Sequence, residues 1–229
     1  MRHAVMAIHA PLLVDSHTFV EMLNLAKKKG NVYLEANVRR AADDVLLAHH
    51  MELSDLTLVR DLTIAELRRK VGTDLLTLGE SLDLFREGMG KMGKLILDIQ
   101  DEESTGIVIH EISKREMQSS VLITSDLPTV ISALNKTRLQ TGLAATRLLA
   151  FGFTGSSILR LAHQIGAKWL ALKAEEMVRF TRPVDLHLLV YCRRKSLLRK
   201  APPWTNIILM HCSLTNAKRM NALVQHRGR

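Results

Sequence analysis

The sequence predicts an α/β fold, a (β/α)8 TIM barrel, forming a single domain over residues 1–229. Three observations lead there. Short aliphatic runs alternate with amphipathic helical stretches along the whole chain of 229 residues, the pattern of parallel strands joined by helices. Hydrophobic residues make up 47% and charged residues 24%, enough for a large core and too apolar for a disordered chain. The first apolar run leads into His9-Ala10-Pro11 without a glycine, which argues against the Gly-x-Gly-x-x-Gly turn of a dinucleotide-binding open sheet. No internal repeat, linker or low-complexity stretch divides the chain.

Strands are predicted at residues 4–9, 32–38, 45–49, 95–99, 121–124, 143–149, 169–172, 186–192 and 207–211. Several are continuous aliphatic runs, as strands covered on both faces require. Nine are one more than the barrel takes, so one is extra or misassigned. Strands one to four should be adjacent, parallel and in order. Helices are predicted at residues 15–29, 64–71, 78–86, 104–115, 128–139, 156–165, 175–179 and 214–224. Asp15 or Ser16 is placed to cap the first, Gly30 stands where a left-handed C-terminal residue belongs, and Ser104 and Ser156 precede their helices as caps. The stretch Phe151-Gly152-Phe153-Thr154-Gly155-Ser156-Ser157 reads as a strand-to-helix turn with a serine cap, with a phosphate cradle as the alternative.

Charge is uneven. The chain has 32 Lys plus Arg against 23 Asp plus Glu. Residues 179–229 hold eleven of the basic residues and one acid, Asp185, a net +10, whereas the first 178 carry −1. That asymmetry points to an anionic contact, such as nucleic acid, the phospholipid headgroups of an anionic membrane surface or a phosphorylated substrate, with a solvated basic flank as the alternative. Aromatics at 4% argue against nucleic-acid binding by base stacking. Two cysteines cannot form a disulfide framework; Cys192 and Cys212, ending neighbouring predicted strands, are expected to be reduced thiols. The apolar stretch of residues 4–8 is stopped by His9 and Pro11. A signal peptide needs an apolar core of roughly 7–15 residues and a spanning helix about 20, so a cytoplasmic protein is expected.

Barrel chemistry sits at the carboxyl ends of the strands. The first strand ends at His9, the second carries Glu35-Ala36-Asn37, the third ends at His49-His50, the fourth carries Asp98-Ile99-Gln100 and the fifth ends in Thr124-Ser125-Asp126. The period of two points Glu35 and Asn37 the same way, into the barrel mouth. Carboxylates with an amide oxygen suit a hard cation such as Mg²⁺ or Ca²⁺, and two histidines beside it suit general acid and base. Each histidine alone fits a structural role; the set at successive strand ends points to a site.

These residues resemble the glycerophosphodiester phosphodiesterase family of the phospholipase-C-like barrel superfamily. That family opens with a strand ending in His-Arg-Gly before a Glu-Asn-Thr helix start, carries Glu-x-Asp on strand two, and follows with a strand ending in His-Asp. Two segments of the form Asp-Leu-Thr-x-x-Glu-Leu and Thr-Leu-x-Glu-x-Leu come next, then a strand with Glu-x-Lys. Here the corresponding residues are His9, Thr18, Glu35-Ala36-Asn37, Leu46-Leu47-Ala48-His49, Asp61 to Leu67, Thr77 to Leu82 and Asp98-Ile99-Gln100. The menorin branch is also similar, through His9-Ala10, Ala48-His49, Ser54 to Leu58, Leu97-Asp98 and Gly152-Phe153-Thr154. The departures are Ala10 for the Arg of His-Arg-Gly, Ser16 for the Glu of Glu-Asn-Thr, Asn37 for the second carboxylate, and Asp98 and Gln100 for the fourth-strand Glu and Lys. Tyr191-Cys192-Arg193-Arg194 echoes the family's Trp-Thr-x-Asn.

The resemblance implies a divalent cation on Glu35, Asn37 and Asp98, with His9 and His49 as acid and base. It also implies a phosphate held by Arg and Lys residues that this chain lacks. Gln100, Ser125, Arg193 and Arg194 are then the expected substrate-binding residues, the two arginines standing after the eighth predicted strand where barrels often bind phosphate. Two functions follow: a metal-dependent hydrolase of glycerophosphodiesters, or a degenerate barrel that binds a phosphate-bearing or acidic partner without turnover.

Overall fold

The computed structural model describes residues 3–9, 15–29, 32–47, 57–90, 93–180, 185–192 and 207–213. The order of elements is β1 (His3–His9), α1 (Ser16–Lys29), β2 (Val32–Arg40), β3 (Val45–Leu47), α2 (Ile64–Val71), α3 (Leu78–Met89), β4 (Lys94–Ile99) and α4 (Ser104–Lys114). It continues with β5 (Val121–Ser125), α5 (Pro128–Leu134), β6 (Gln140–Ala144), α6 (Thr146–Ala150), α7 (Gly155–Gln164), β7 (Trp169–Lys173), β8 (His187–Cys192) and β9 (Ile207–Ser213). Short 3₁₀ turns cover Val59–Asp61 and Ala174–Arg179. Among the described residues no helix is long and apolar enough to cross a membrane.

Among the described residues eight strands are parallel and follow one another as β1, β2, β4, β5, β6, β7, β8 and β9. β1 pairs on one side with β2, placing His9 beside Glu35, and on the other with β9, placing His9 beside Ser213. The strands therefore form a ring. Alternation along them divides the apolar residues in two. Ile96, Leu122, Ala171 and Leu189 fill the interior with Tyr33, Ala144, Trp169 and Tyr191. Trp169 lies against the His187 ring near the strand starts, with centroids 4.8 Å apart. On the outer face Leu95, Leu97, Ile99 and Ile123 pack with Leu82, Phe85, Val108 and Ile112 of the helices.

Local chemistry sets the helix starts. Thr63 accepts from the Glu66 amide at 3.2 Å while Glu66 accepts from the Thr63 amide at 2.8 Å, and Thr77 and Glu80 repeat this reciprocal cap at 3.2 and 2.7 Å. The two segments that match the family pattern after His49 are thus helix caps, and their likeness is one of folding rather than of chemistry. The first helix is capped by Asp15, whose Oδ1 accepts from the Thr18 amide at 2.7 Å. Asp101 and Thr154, not Ser104 and Ser156, accept from the first turns of α4 and α7. Gly155 has no room for a side chain, since a Cβ there would stand 1.9 Å from the Arg179 carbonyl oxygen. The glycine-containing stretch joins α6 to α7, so it is a helix-to-helix turn capped by Thr154 and not the expected strand-to-helix turn with a serine cap.

Four sequence expectations are corrected. The run at 45–49 is not a barrel stave: β3 pairs antiparallel with β2 (Arg40 beside Val45). It is the ninth strand that the barrel could not take, so the expected parallel order of strands one to four holds only with β3 left out. The run at 143–149 divides, because β6 ends at Ala144 and α6 begins at Thr146, with Leu148 and Leu149 buried and Arg147 exposed. The helix at 128–139 stops at Leu134, and the one at 175–179 is the 3₁₀ turn Ala174–Arg179. Gly30 and the helix at 214–224 lie outside the described residues.

Candidate active site

The pleat of β2 turns Leu34, Ala36 and Val38 outward under the helices and leaves Glu35, Asn37 and Arg39 on the other side, inside the mouth of the barrel. β4 likewise sends Leu95, Leu97 and Ile99 outward and Asp98 inward. The register joins the polar positions, with Asn37 beside Asp98 and Asp98 beside Thr124. Glu35 and Asn37 are 6% and 7% exposed, so a carboxylate and an amide are held almost out of water at the carboxyl end of one stave.

Both oxygens of Asp98 are engaged. Gln100 Nε2 donates to Oδ2 at 2.7 Å and Thr124 Oγ1 donates to Oδ1 at 2.8 Å. Burial nevertheless pushes the Asp98 carboxyl up from 3.8 to about 6; these two hydrogen bonds oppose the shift, and the charges of Glu35 and Asp126 add to it. Tyr191 reaches the same place from β8, with its hydroxyl hydrogen-bonded to Thr124 and Glu35. Burial, then the Glu35 and Asp98 charges, raise its phenol well above the ordinary value, so it is a neutral donor at physiological pH. Arg39 is 7% exposed; burial lowers its pKa, while Asp98, Asp101 and Asp126 favour its charge.

The structure thus brings together Glu35, Asn37, Asp98 and Gln100 of the expected set. His9 ends β1 at the level of Glu35 in the backbone, and its side chain lies outside the described part of the chain. His49, Arg193 and Arg194 lie outside the described residues. Ser125 is elsewhere: its hydroxyl donates to the Ile99 carbonyl at 2.6 Å and accepts from the Leu127 amide at 3.1 Å, on the helix side of β5. Its neighbour Thr124 is the residue facing the site, and alternation from the inward Leu122 would have identified it. Arg39 was missed although it is the next step of the period that picks out Glu35 and Asn37. Tyr191 drew notice only as part of a motif echo; that it reaches Glu35 depends on the ring of strands, which no local pattern shows.

The donors fit a hard cation by chemistry. Two carboxylates and an amide oxygen are its preferred ligands, and the burial and neighbouring negative charge that raise Asp98 are what a cation would offset. Among the described residues no three of His, Cys, Asp and Glu are grouped for a metal, so Asn37 would have to serve as a ligand.

Solved structures share this architecture. The chain is similar to the glycerophosphodiester phosphodiesterase of Thermotoga maritima at 16% identity, covering 96% of this chain and 99% of that one with a TM-score of 0.72. A glycerophosphodiester phosphodiesterase from Parabacteroides distasonis matches at 11% identity over 99% and 98% of the two chains, TM-score 0.71. The tryptophan synthase complex of Pyrococcus furiosus superposes less well, at 12% identity over 96% and 90% with a TM-score of 0.55. No family model matches the sequence, and no curated protein does. What the chain shares with these structures is its fold, a (β/α)8 barrel.

Proposed function

We propose that the protein is a phosphodiester hydrolase of the glycerophosphodiester type, dependent on a divalent cation. The observation that carries this is a pair of carboxylates, Glu35 buried and Asp98 half-buried, converging at the carboxyl end of the barrel with Asp98 held near 6. Glu35, Asn37 and Asp98 would hold Mg²⁺ or Ca²⁺, which when bound supplies positive charge to a phosphate oxygen and acidity to a coordinated hydroxyl. Thr124, Gln100 and Tyr191 fix the carboxylates: each donates a hydrogen bond that keeps an oxygen aimed into the mouth. Of His9 and His49, one would take the proton of the attacking hydroxyl and the other would return a proton to the leaving alkoxide.

A second reading has its own observation. Gln100 stands where the resemblance places a lysine, and it spends its amide on Asp98 rather than offering a cation to phosphate. A barrel that binds a phosphate-bearing or acidic partner without turnover would look the same. Two measurements separate the readings. The hydrolase should release glycerol phosphate from a glycerophosphodiester in the presence of Mg²⁺ or Ca²⁺, with loss of at least about a hundredfold in His9→Ala. It should also be stabilised by the ion, and Asp98→Asn should lose that stabilisation. No turnover together with retained phosphate binding selects the second reading.

A further inference from the structure

Among the described residues four large hydrophobic side chains are exposed, Val20, Phe151, Phe153 and Val178, and the last three share one place. α6 leaves the carboxyl end of β6 and α7 runs back from it, so the turn between them, with Phe151 69% and Phe153 44% exposed, stands at the barrel mouth. Val178, 88% exposed, belongs to the 3₁₀ turn that leaves the carboxyl end of β7, the neighbouring stave. The two turns meet where Gly155 lies against the Arg179 carbonyl. The first is closed by its own backbone. The Phe151, Gly152 and Phe153 amides donate to the carbonyls of Arg147, Leu149 and Leu148 at 3.0, 3.1 and 3.1 Å, and Gly152 takes a φ of +87° that a side chain would resist. Both rings are therefore presented to solvent by a fixed turn and not by slack chain.

Area and charge decide what such a rim meets. The three side chains expose roughly 350 Å² of apolar surface, under half of the about 800 Å² per partner that a stable protein interface buries. A lipid surface needs no such area, because a few aromatic and aliphatic side chains enter the boundary between headgroups and acyl chains while arginines meet the phosphates. Arg147 lies over the Phe151 ring, 5.5 Å from its centroid, and Arg179 is exposed beside Val178. Of the acids at this rim, Asp126 faces Arg147 at 3.4 Å, Glu176 accepts from the Thr146 hydroxyl and the Lys173 amide, and Glu175 is exposed. The charge of the whole chain is +9, and Arg179 opens the stretch to residue 229 whose net charge is +10, which draws the molecule to an anionic surface. We propose that this rim docks on an anionic lipid bilayer, with Phe151, Phe153 and Val178 inserted and Arg147 and Arg179 at the lipid phosphates, so that the barrel mouth faces the membrane. The surface goes beyond the hydrolase reading and does not depend on it.

The test is binding rather than turnover. The full chain is co-sedimented with phosphatidylcholine vesicles, with and without phosphatidylserine. Binding should require phosphatidylserine and weaken as salt rises. Phe151→Ser and Phe153→Ser should each weaken it by about tenfold, and Arg179→Gln by about fivefold. Glu175→Gln removes a charge that the anionic surface repels and should strengthen binding several-fold. All four side chains are exposed, so thermal unfolding of the variants should match the wild type, and Phe153→Trp should keep the binding because it keeps an aromatic ring. No binding of the wild type to phosphatidylserine vesicles, binding that both serine variants leave unchanged, or a dimer in solution that they abolish would each overturn the proposal. A chain that binds these vesicles through Phe151 and Phe153 but hydrolyses nothing would keep the surface and reject the hydrolase.

Discussion

Two acidic places in this molecule treat charge in opposite ways. Between α3 and α4, Arg115 donates to Asp83 at 2.9 and 2.7 Å and also pairs with Glu111, in the layer outside the barrel. The hydrogen bond from Arg115 holds Asp83 below the ordinary carboxylate value, so the charged form belongs to the folded state. Inside the mouth Asp98 has hydrogen bonds but no ion pair among those described, and burial with Glu35 nearby lifts it to about 6. The first arrangement stabilises the fold at neutral pH and the second opposes it. A half-buried carboxylate kept at such a cost, at the carboxyl end of the barrel strands, is what the proposed function would require.

The largest effect should come from breaking the outer network. Arg115→Ala is expected to cost about 2 kcal/mol at pH 7, the loss of a nearly buried charged hydrogen-bonding group, read from urea unfolding. Its sign with pH follows from the lowered Asp83. The contribution is complete above the ordinary value of 3.8 and disappears as pH falls through the folded value, so wild type and variant should converge in acid. Convergence at neutral pH would show that the outer carboxylate is not stabilising.

Removing the inner charge should act the other way. Asp98→Asn, measured with a chelator present, is expected to stabilise the protein by on the order of 2 kcal/mol at pH 7. Here the folded value lies above the unfolded one, so the cost is fully present above about 6 and vanishes below 3.8, and the variant's advantage should shrink through that window. Destabilisation at pH 7 would mean that the mouth compensates Asp98 as well as α3 and α4 compensate Asp83. The smallest change is Thr124→Val, which deletes one donor to Asp98 and should move that carboxyl further up by less than about one pH unit. Side-chain carboxyl NMR titration would read it, and a downward movement would reverse the assigned role of the threonine.

Much of this was readable from the chain before any coordinates, for physical reasons. β4 and β5 are recognisable because residues buried on both faces must be apolar, and Glu35 and Asn37 share a face because a strand repeats every two residues. The error at Val45-Leu46-Leu47 was avoidable. Only residues 41–44 separate β2 from β3, and a parallel crossover needs a dozen or more, so an apolar run that close can only return antiparallel. The helix of residues 146–150 was hidden because Leu148 and Leu149 continue the apolar run of β6, while the single exposed Arg147 is too short a signal of helical period. Tyr191 is different in kind. Its contact with Glu35 joins the seventh stave to the second, and nothing local to either residue encodes it.

The position of β1 has a consequence for how the chain is made. The first strand is flanked by β2 and by β9, and His3 pairs with Ile207, so one of its two edges is satisfied by residues some two hundred positions later. On the ribosome β1 and β2 can meet early, but the outer edges of the growing sheet stay open until the final strand leaves the exit tunnel. Contacts of such long sequence separation slow folding, and an unpaired parallel edge rich in Val, Ile, Leu and Met is a template for association with other chains. Nascent chains stalled before residue 207 should therefore be captured by holdase chaperones, and release should follow the emergence of β9 from the exit tunnel.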